Sequence, residues 1–585
     1  MPASVTFACP TKPRMTTATP NAPRLDRYDA AALGALVLTL AAMLAALLGR
    51  APDPSYWVDD GVYLVTAKSL ALGDGYRHTW LPGEPFQTKY PPAWPWVLSL
   101  LWRSADLLTH HWLIPVVNGA MLLIAHVASY FTVRRLWNQP WFIAAAGAWA
   151  SMTVWLWFQL IASAMSEPMF VMGVCLTTWG ATTLCARSMP ARRAVFIAFL
   201  TGLIGAITIL TRSMGVMVVG GLGLALLLHR RWVPAAIVAA FSLSAMGGWA
   251  FWRAGAAAAN KAIPQAAALG YELDYSLWLI NDPAALVRVA TLNLSDMLFQ
   301  LELLIRPLPP GFLGWCASSG PTMLVLWGIV SVMVWLLIDG FTRSWSAARG
   351  AAHLTLILQI VMILVWPFSP QRFVAPLMPW LIPMLFIGAA AIIAPKAKGP
   401  KPRTILSLTP AQWAGVAPLT LILSLPCPQQ DGATFFFPAL RDRPATRAEL
   451  VEKINAYTEP TAVVAAPDGP LLHLLTGRRF MQPLPNDDPV LFQFPDDRTF
   501  FGMNLAGTPG RMRYIEKMIP ELERYYSVAG AGYLVFGKTG GMLEKLLADH
   551  RLREDRLYHL IGSTEDNNIY ALTPRKPEEL PAPAP

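Results

Sequence analysis

The sequence predicts an all-α polytopic membrane domain followed by a C-terminal α/β domain outside the membrane. Of the 585 residues, 54% are hydrophobic and only 14% are charged, whereas soluble globular proteins carry roughly 25% charged residues. Apolar runs of roughly 20 residues, long enough to cross the hydrocarbon core of a bilayer, recur from Ala30 to Leu425. After Cys427, charged residues and proline-rich turns replace these runs. This change of composition predicts a domain boundary there.

Three segments follow from that boundary. Residues 1–29 are polar, basic and rich in proline and threonine, which predicts a disordered cytoplasmic tail. Residues 30–427 form the predicted transmembrane domain, and residues 428–585 form the predicted soluble extracytoplasmic domain. The run Ala30–Leu48 is interpreted as a retained first span, because it is long and no clear cleavage site follows it.

The loop charges give the spans a direction. Basic residues gather in short clusters between the apolar runs, for example at Arg134-Arg135 and at His229–Arg231, as expected for cytoplasmic loops. Placing these clusters and the N-terminal tail inside predicts about eleven spans, with the N-terminus inside and the C-terminus outside. The predicted spans cover residues 30–49, 111–133, 141–159, 167–186, 194–211, 214–229, 232–252, 319–339, 351–367, 373–394 and 409–426.

Two apolar stretches do not fit this alternation. Counting Pro91–Leu108 as a span would place Arg134-Arg135 outside, so this tryptophan-rich stretch is predicted to be a helix at the outer interface. Pro283–Leu304 has the same character and receives the same prediction. The first outward loop therefore runs over about residues 51–110 and is large.

The C-terminal segment mixes the two kinds of secondary structure. Residues Thr461–Ala466 and Tyr533–Phe536 are predicted strands. Residues Arg447–Tyr457, Tyr514–Tyr525 and Gly540–His550 are predicted helices. An α/β or α+β module follows, and it contains no recognisable catalytic set.

Charge and cysteine content exclude several classes of function. The net charge of +10 does not indicate nucleic-acid binding, since the basic residues lie between apolar runs and do not gather on one soluble face. The five cysteines are scattered without metal-ligand spacing, so neither a zinc site nor a disulfide framework is expected.

Two adjacent carboxylates, Asp59 and Asp60, stand out in the first outward loop among aromatic residues. Partial desolvation there raises a carboxylate's pKa and suits it to general-base catalysis. The alternative is a helix N-cap, a position that favours aspartate. Both residues are candidate catalytic groups.

Three basic residues are predicted on the same outer side. Lys89 precedes Tyr90-Pro91-Pro92 at the start of an interfacial helix, where it could hold a phosphate or reach toward lipid headgroups. Arg212 and Arg372 lie at outer span ends, against the positive-inside trend. They are candidate ligands of a lipid phosphate, with interface anchors as the alternative.

Glu167 is the first residue of a predicted span, where an ionisable residue suggests a functional site. The alternative is a carboxylate that only stabilises the helix start through the helix dipole. Tyr63 and His78 lie in the first outward loop, and a lone histidine there is more often structural.

These residues resemble a known family. The patterns Asp59-Asp60-x-x-Tyr63, Lys89-Tyr90-Pro91-Pro92, Ser166-Glu167-Pro168 and Arg372-Phe373-x-x-Pro376 look like motifs of GT-C glycosyltransferases. The closest branch is the one related to protein O-mannosyltransferases and to the lipid A aminoarabinose transferase. The short matches span most of the chain, and their order and predicted sidedness agree.

The resemblance implies a GT-C type membrane domain that transfers a sugar from a polyprenyl-phosphate donor with inversion. It implies a catalytic base at Asp59, with Asp60 still open, and it places a basic residue at Lys89. Arg212, Arg372 and Tyr63 would join Lys89 at the donor phosphate, and Glu167, His78 and Tyr90 would contact substrate. The acceptor could be a lipid glycan, a polysaccharide or a protein, and a bacterial inner membrane is expected. No complete metal site is visible, although two carboxylates leave Mg²⁺ or Mn²⁺ open.

Two other classes of function stay open at this point. A transporter or flippase for lipid-linked sugars would also place charges near spans, but the sequence shows neither an inverted repeat nor paired broken helices. A non-catalytic envelope assembly protein would not need the first-loop acids.

Overall fold

A computed structural model describes residues 25–48, 58–186, 189–263, 265, 283–300, 320–348, 350–366, 370, 372–393, 443–483, 522–537, 558–564 and 567–573. The predicted last span at 409–426, the loop 396–403, the helix at 540–550 and most of the N-terminal tail lie outside them.

Fourteen helices of the membrane region lie within the described residues. They are α1 (Arg27–Leu48), α2 (Val58–Leu72), α3 (Ala93–Ser104), α4 (Leu113–Phe131), α5 (Trp141–Met152), α6 (Trp155–Ala162), α7 (Glu167–Ala186), α8 (Ala191–Thr211), α9 (Gly215–Leu228), α10 (Trp232–Lys261), α11 (Pro283–Gln300), α12 (Gly320–Ala348), α13 (Ala351–Leu364) and α14 (Met378–Ile393). A π-helical turn, Thr132–Leu136, extends α4, and a 3₁₀ turn, Ala375–Leu377, precedes α14.

Five of these helices are long and apolar enough to cross a membrane, namely α1, α4 with its π-helical turn, α7, α8 and α10. A sixth candidate is the pair α5 and α6, whose axes are bent by 58° relative to each other. The chain is therefore a multi-pass membrane protein. Among the described residues α9, α13 and the segment 375–391 are apolar but shorter, so the number of about eleven spans stays a prediction.

Local sequence explains where the helices begin and end. Helix α7 opens with Glu167-Pro168, which places a carboxylate at the positive end of the helix dipole and proline where its missing N–H costs nothing. Helix α2 ends at Leu72 and is followed by Gly73, whose φ of +91° suits glycine. Helix α3 lies within the predicted interfacial stretch and packs against α2.

Small residues let α7 and α8 pack closely. A Cβ on Gly173 would lie 2.1 Å from the Thr208 hydroxyl, and a Cβ on Gly180 would lie 2.1 Å from the Thr201 hydroxyl. Close approach of this kind is how membrane helices gain packing contacts. Helix α7 also packs against α4 and α9, so it lies in the middle of the bundle.

A buried ion pair marks one end of the bundle. Asp29, which is 3% exposed, lies 2.9 Å from Nη2 of Arg135 and accepts a 2.8 Å hydrogen bond from the Tyr130 hydroxyl. These contacts join the start of α1 to the end of α4. Arg134 and Arg135, one of the basic clusters that set the predicted orientation, therefore lie at this end.

The C-terminal domain contains a small mixed sheet. One helix precedes its first strand, and a second helix connects the first strand to the second. The helices are α15 (Arg443–Tyr457) and α16 (Gly469–Thr476), and the strands are β1 (Val463–Ala465), β2 (Arg479–Met481), β3 (Ala531–Gly537), β4 (Tyr558–Ser563) and β5 (Asn567–Leu572). The strand order is β2-β1-β3-β5-β4; β1 runs parallel to β2 and β3, and β5 runs antiparallel to β3 and β4. Residues 522–529 form a further helix. The predicted strands at 461–466 and 533–536 are confirmed as β1 and β3.

Candidate active site

Four elements bring acidic and basic side chains together at the end of the bundle opposite Asp29. Asp59 is the second residue of α2, and Glu167 is the first residue of α7. Arg212 directly follows α8, and Arg372 precedes the 3₁₀ turn before α14. Because α7 and α8 are consecutive helices packed side by side, the start of α7 lies beside the end of α8.

Both carboxylate oxygens of Asp59 accept hydrogen bonds. Oδ1 accepts from the hydroxyl of Tyr90, and Oδ2 accepts from Nη2 of Arg372 in an ion pair. The Asp59 side chain is 19% exposed and that of Arg372 is 21% exposed. The pair is therefore partly open to solvent, and a ligand can reach it.

Glu167 lies behind the arginines and is fully buried. Its Oε1 is 2.6 Å from Nη1 of Arg212 and 3.9 Å from Nε of Arg372. One carboxylate therefore acts as counterion to both guanidinium groups. A substrate would meet the arginines before it could meet Glu167.

The two arginines share a third neighbour. The guanidinium carbon of Arg212 lies 5.1 Å from the ring centroid of Phe373, and that of Arg372 lies 5.6 Å from it. Cation–π contacts of this length are favourable. Arg212 Nη1 also donates to Ser166 Oγ over 3.1 Å, and Ser166 Oγ is 3.2 Å from the Tyr63 hydroxyl. These contacts hold the two guanidinium groups close together, which favours recognition of a tetrahedral anion.

Lys89 and Tyr90 reach the cluster from the turn before α3. Oε1 of Gln87 accepts hydrogen bonds from the backbone N–H groups of Lys89 (2.9 Å) and Tyr90 (3.2 Å). The Tyr90 ring also packs edge-on against Tyr63, with centroids 5.0 Å apart. The Gln87 side chain therefore fixes the backbone from which both residues extend.

The electrostatics of Asp59 differ from the sequence expectation. Burial alone would raise its pKa, but the charges of Arg372 and Lys89 and the hydrogen bond from Tyr90 outweigh burial, and the pKa lies below its usual value. The expected net rise of this pKa is therefore not found, because the carboxylate lies next to cations. Burial would likewise lower the pKa of Arg372, yet Asp59 and Glu167 raise it. Both groups are charged at neutral pH.

The cluster carries more positive than negative charge. Lys89, Arg212 and Arg372 face the carboxylates of Asp59 and Glu167, which leaves a net charge of +1. A singly charged anion would neutralise the site, and two guanidinium forks with an ammonium group suit phosphate oxygens.

An apolar cavity of about 320 Å³ lies next to the cluster, between α3, α8 and α10. Its lining includes Trp96, Trp249, Trp252 and Tyr76. The Tyr76 hydroxyl donates to the carbonyl oxygen of Tyr90 over 3.0 Å, which links the cavity to the charged cluster. A molecule with an anionic head and an apolar chain would fit both features.

Seven of the sequence candidates meet in this cluster, and Asp60 and His78 are buried beside it among other contacts. The seven are Asp59, Tyr63, Lys89, Tyr90, Glu167, Arg212 and Arg372. Asp60 is fully buried, and its Oδ1 accepts a 2.8 Å hydrogen bond from the N–H of Gly61. His78 is fully buried below Trp80, and burial lowers its pKa to about 3, so the ring is neutral.

Sequence reasoning assigned no role to Ser166, Phe373 or Gln87. The first two lie inside the motifs that carried the family resemblance, next to Glu167 and Arg372. Their position beside these candidate residues could have marked them as part of the site. Gln87 precedes Lys89 by two residues, and nothing in its sequence context marks it.

Neither Asp59 nor Glu167 is arranged as a ligand of a divalent cation. The oxygens of Asp59 accept from Tyr90 and Arg372, and Glu167 faces two guanidinium groups. Within the described residues no group of three or more His, Cys, Asp or Glu side chains could hold a metal ion.

Solved structures resemble this fold over nearly its whole length. The apo crystal structure of ArnT from Cupriavidus metallidurans matches with a TM-score of 0.50 at 12% identity, over 95% of this chain and 100% of that chain. ArnT bound to undecaprenyl phosphate matches with a TM-score of 0.47 at 13% identity, over 93% and 97% of the two chains.

A second protein shares the architecture. The Archaeoglobus fulgidus oligosaccharyltransferase in complex with Zn and sulfate matches with a TM-score of 0.52 at 12% identity, over 94% of this chain and 74% of that chain. No protein-family model matches the sequence, and no curated protein does. At these identities the likeness is one of fold.

Proposed function

Because this chain has the fold of the GT-C glycosyltransferases, we propose that it is an integral membrane glycosyltransferase. In this proposal it transfers a sugar from a polyprenyl-phosphate donor to an acceptor hydroxyl or amine at the outer face of the membrane. The observation that carries the proposal is the cluster of Asp59 with Lys89, Arg212 and Arg372, which pairs a carboxylate with an anion site. The acceptor is a lipid glycan, a polysaccharide or a protein.

The donor's chemistry matches the features of the site. A sugar–phosphate–polyprenyl diester carries one negative charge, which balances the +1 of the cluster. Its isoprenoid chain is apolar, and the cavity beside Tyr76 is lined largely by aromatic rings. We infer that the phosphate binds between the arginines and that the lipid chain enters this cavity.

Asp59 serves as the general base in this proposal. It takes a proton from the acceptor while the acceptor attacks the anomeric carbon and the bond from that carbon to the phosphate oxygen breaks. Attack from the face opposite the phosphate inverts the anomeric configuration. The sugar leaves bonded to the acceptor, and the products are polyprenyl phosphate and a protonated Asp59.

Charge stays balanced through this step. The leaving phosphate becomes a monoester with close to two negative charges, while protonation of Asp59 raises the net charge of the cluster to +2. The arginines and Lys89 therefore stabilise charge where it develops, which is the most effective electrostatic contribution to catalysis. We propose that no divalent cation takes part, since the arginines and Lys89 supply this charge. Transfer should then be unchanged by EDTA, and loss of activity restored by Mg²⁺ or Mn²⁺ would contradict this.

Arg372 gives the donor control over the base. Without donor, Arg372 covers Oδ2 of Asp59 and keeps the carboxylate a weak base. A donor phosphate competes for the same guanidinium group. As Arg372 turns to the phosphate, Oδ2 becomes free and the pKa of Asp59 rises, so that the base becomes effective when the donor is present.

The proposal is tested with purified protein in lipid nanodiscs and a panel of radiolabelled undecaprenyl-phosphate hexoses and pentoses. Release of undecaprenyl phosphate and label transfer to a membrane acceptor fraction are measured. Asp59→Asn and Arg372→Ala should each lose at least about 100-fold in turnover, the usual contribution of a general base or an oxyanion-stabilising group.

Arg343→Ala is the matched control, because Arg343 also pairs with an aspartate, Asp339, at 2.6 Å but does so within helix α12. It should transfer sugar at the wild-type rate. Wild-type turnover in a normally folded Asp59→Asn would refute the assignment of the base, and a comparable loss in Asp60→Asn alone would move the role to Asp60. Binding of labelled donor without any transfer would favour the transporter alternative.

A further inference from the structure

The C-terminal domain contacts the first loop through the edge of its sheet. Strand β2 is the edge strand, next to β1. Its Phe480 N–H donates to the carbonyl oxygen of Trp80 over 2.7 Å, and Arg479 Nη2 lies 2.5 Å from Oε1 of Glu84. A segment of the first loop thus covers the sheet edge. Glu84 in this segment and its ion-pair partner Arg479 are 395 residues apart in sequence.

The contact is close as well as polar. A Cβ on Gly469, the first residue of α16, would lie 2.8 Å from Cζ3 of Trp80 and 2.8 Å from Cβ of Phe480. Trp80 is 1% exposed, and α16 also packs against α2, the helix that carries Asp59. Only a glycine leaves room for this approach.

From Trp80 a chain of side-chain contacts leads to the charged cluster. Nε1 of Trp80 donates to Nδ1 of His78 over 3.2 Å, so the neutral ring carries its proton on Nε2. The side chains of His78 and Gln87 are neighbours, and the backbone N–H of His78 donates to the carbonyl oxygen of Pro85, two residues before Gln87, over 2.8 Å. The Oε1 of Gln87 in turn accepts from the backbone N–H groups of Lys89 and Tyr90, and the Tyr90 hydroxyl donates to Asp59.

We propose that the C-terminal domain is a positioning element of the active site, which acts through Trp80, His78 and Gln87 on the backbone of Lys89 and Tyr90. His78 and Gln87 are positioning residues in this view, because neither is exposed enough to meet a substrate. The inference rests on the proposed function and adds a task for a domain that has no catalytic set of its own.

Helix α10 holds the same loop from its other side. The side chain of Asn260 accepts from the N–H of Phe86 over 2.7 Å and donates to its carbonyl oxygen over 3.0 Å. The loop therefore lies between a membrane helix and the soluble domain. If the domain shifted, the loop would pivot about Phe86, and Lys89 and Tyr90 would move relative to Asp59.

The test uses a charge exchange across the interface in the full-length protein. Arg479→Glu and Glu84→Arg each place like charges together, while the double variant restores an opposite pair. Both side chains are more than one third exposed, so neither change should unfold the chain. Each single variant should lower kcat about 10-fold and weaken binding of undecaprenyl phosphate, and the double variant should recover most of both.

Gly469→Val gives an independent disturbance of the same contact, and Arg447→Glu is the matched control. Arg447 pairs with Asp468 at 3.5 Å inside the C-terminal domain, so its loss should leave kcat and undecaprenyl phosphate affinity unchanged. If this interface only stabilised the fold, its disruption would lower the unfolding temperature and leave kcat and the affinity for undecaprenyl phosphate unchanged.

The inference is overturned if the wild type transfers sugar and binds undecaprenyl phosphate while Arg479→Glu and Gly469→Val do so equally well. It is also overturned if the charge exchange fails to restore kcat in a protein that unfolds at the wild-type temperature. A wild type that neither binds this lipid nor transfers sugar would instead refute the proposed function.

Discussion

Asp59 sets the chemistry of the site because its basicity depends on its cationic neighbours, Arg372 first among them. With Arg372 on Oδ2 its pKa lies below the usual value, although burial acts in the opposite direction. The folded-state carboxylate is therefore ionised over the whole neutral range, and its contribution to stability is lost only as pH falls through the lowered pKa. If Arg372 is removed, a smaller lowering effect opposes burial, and the pKa of Asp59 rises.

This balance predicts a change of pH dependence in Arg372→Gln. In the wild type, kcat/KM for the donor reports the free enzyme, and protonation of Asp59 should not reduce it above about pH 5. In Arg372→Gln the pKa of Asp59 rises, so the acid limb of the kcat/KM profile should move to higher pH. Profiles measured between about pH 4 and 9 test this, with Arg343→Gln as control. An acid limb in the same place for both variants would contradict the role given to Arg372.

Residue identities were predictable from sequence where a charge stood at the end of an apolar run. Glu167, Arg212 and Arg372 were recognised for this reason, and the ends of packed helices do bring them together. The pKa of Asp59 was not predictable, since its partner Arg372 lies 313 residues further along the chain. The burial of Glu167 and His78 depends on packing, which periodicity alone does not reveal.

Among the elements, α10 combines two functions. It holds the first loop through Asn260, and its Ser244, Gly248, Trp249 and Trp252 line the apolar cavity. Trp249 and Trp252 stack with centroids 5.2 Å apart, which makes this wall rigid. The sequence predicted the span but not the cavity, because a cavity forms only where several helices meet.

The cavity can be filled by one substitution in α10. A Cβ on Gly248 would meet no atom within 4 Å, and Gly248 lines the cavity, so Gly248→Leu should occupy it without a clash. The variant should raise KM about 10-fold for a donor with an undecaprenyl chain and leave a donor with a two-isoprene chain nearly unaffected. Steady-state kinetics with both donors provide the measurement.

Gly247→Leu is the matched control for this prediction. Gly247 is equally open to a Cβ but does not line the cavity, so both KM values should stay at wild type. If Gly248→Leu treated both donors alike, the lipid chain would not occupy this cavity.

Helix ends show how far sequence patterns reach. The span predicted at 167–186 begins and ends at those residues in α7, where proline and a carboxylate mark the start. The span predicted at 141–159 is instead two helices bent by 58°. The break follows Met152, and neither proline nor glycine marks it, so the sequence pattern did not reveal it.

At the scale of the whole molecule, the charged cluster and the Asp29–Arg135 pair lie at opposite ends of the bundle. The positive-inside rule then predicts that the active site faces outward. In a cysteine-free background, Leu72→Cys, on the helix of Asp59 and 67% exposed, should react with an impermeant maleimide in intact spheroplasts. Leu25→Cys, 61% exposed at the other end, should react only after permeabilisation. The reverse pattern would invert the orientation.

The long distances between partners have a consequence for biosynthesis. Asp59 emerges from the ribosome 313 residues before Arg372, and Glu84 emerges 395 residues before Arg479. At 5–20 residues per second, the first interval lasts on the order of 15–60 s. During that time the nascent chain holds an aspartate without its arginine and a loop without the domain that orders it. A ribosome that stops early therefore releases a protein that lies in the membrane but has no complete active site.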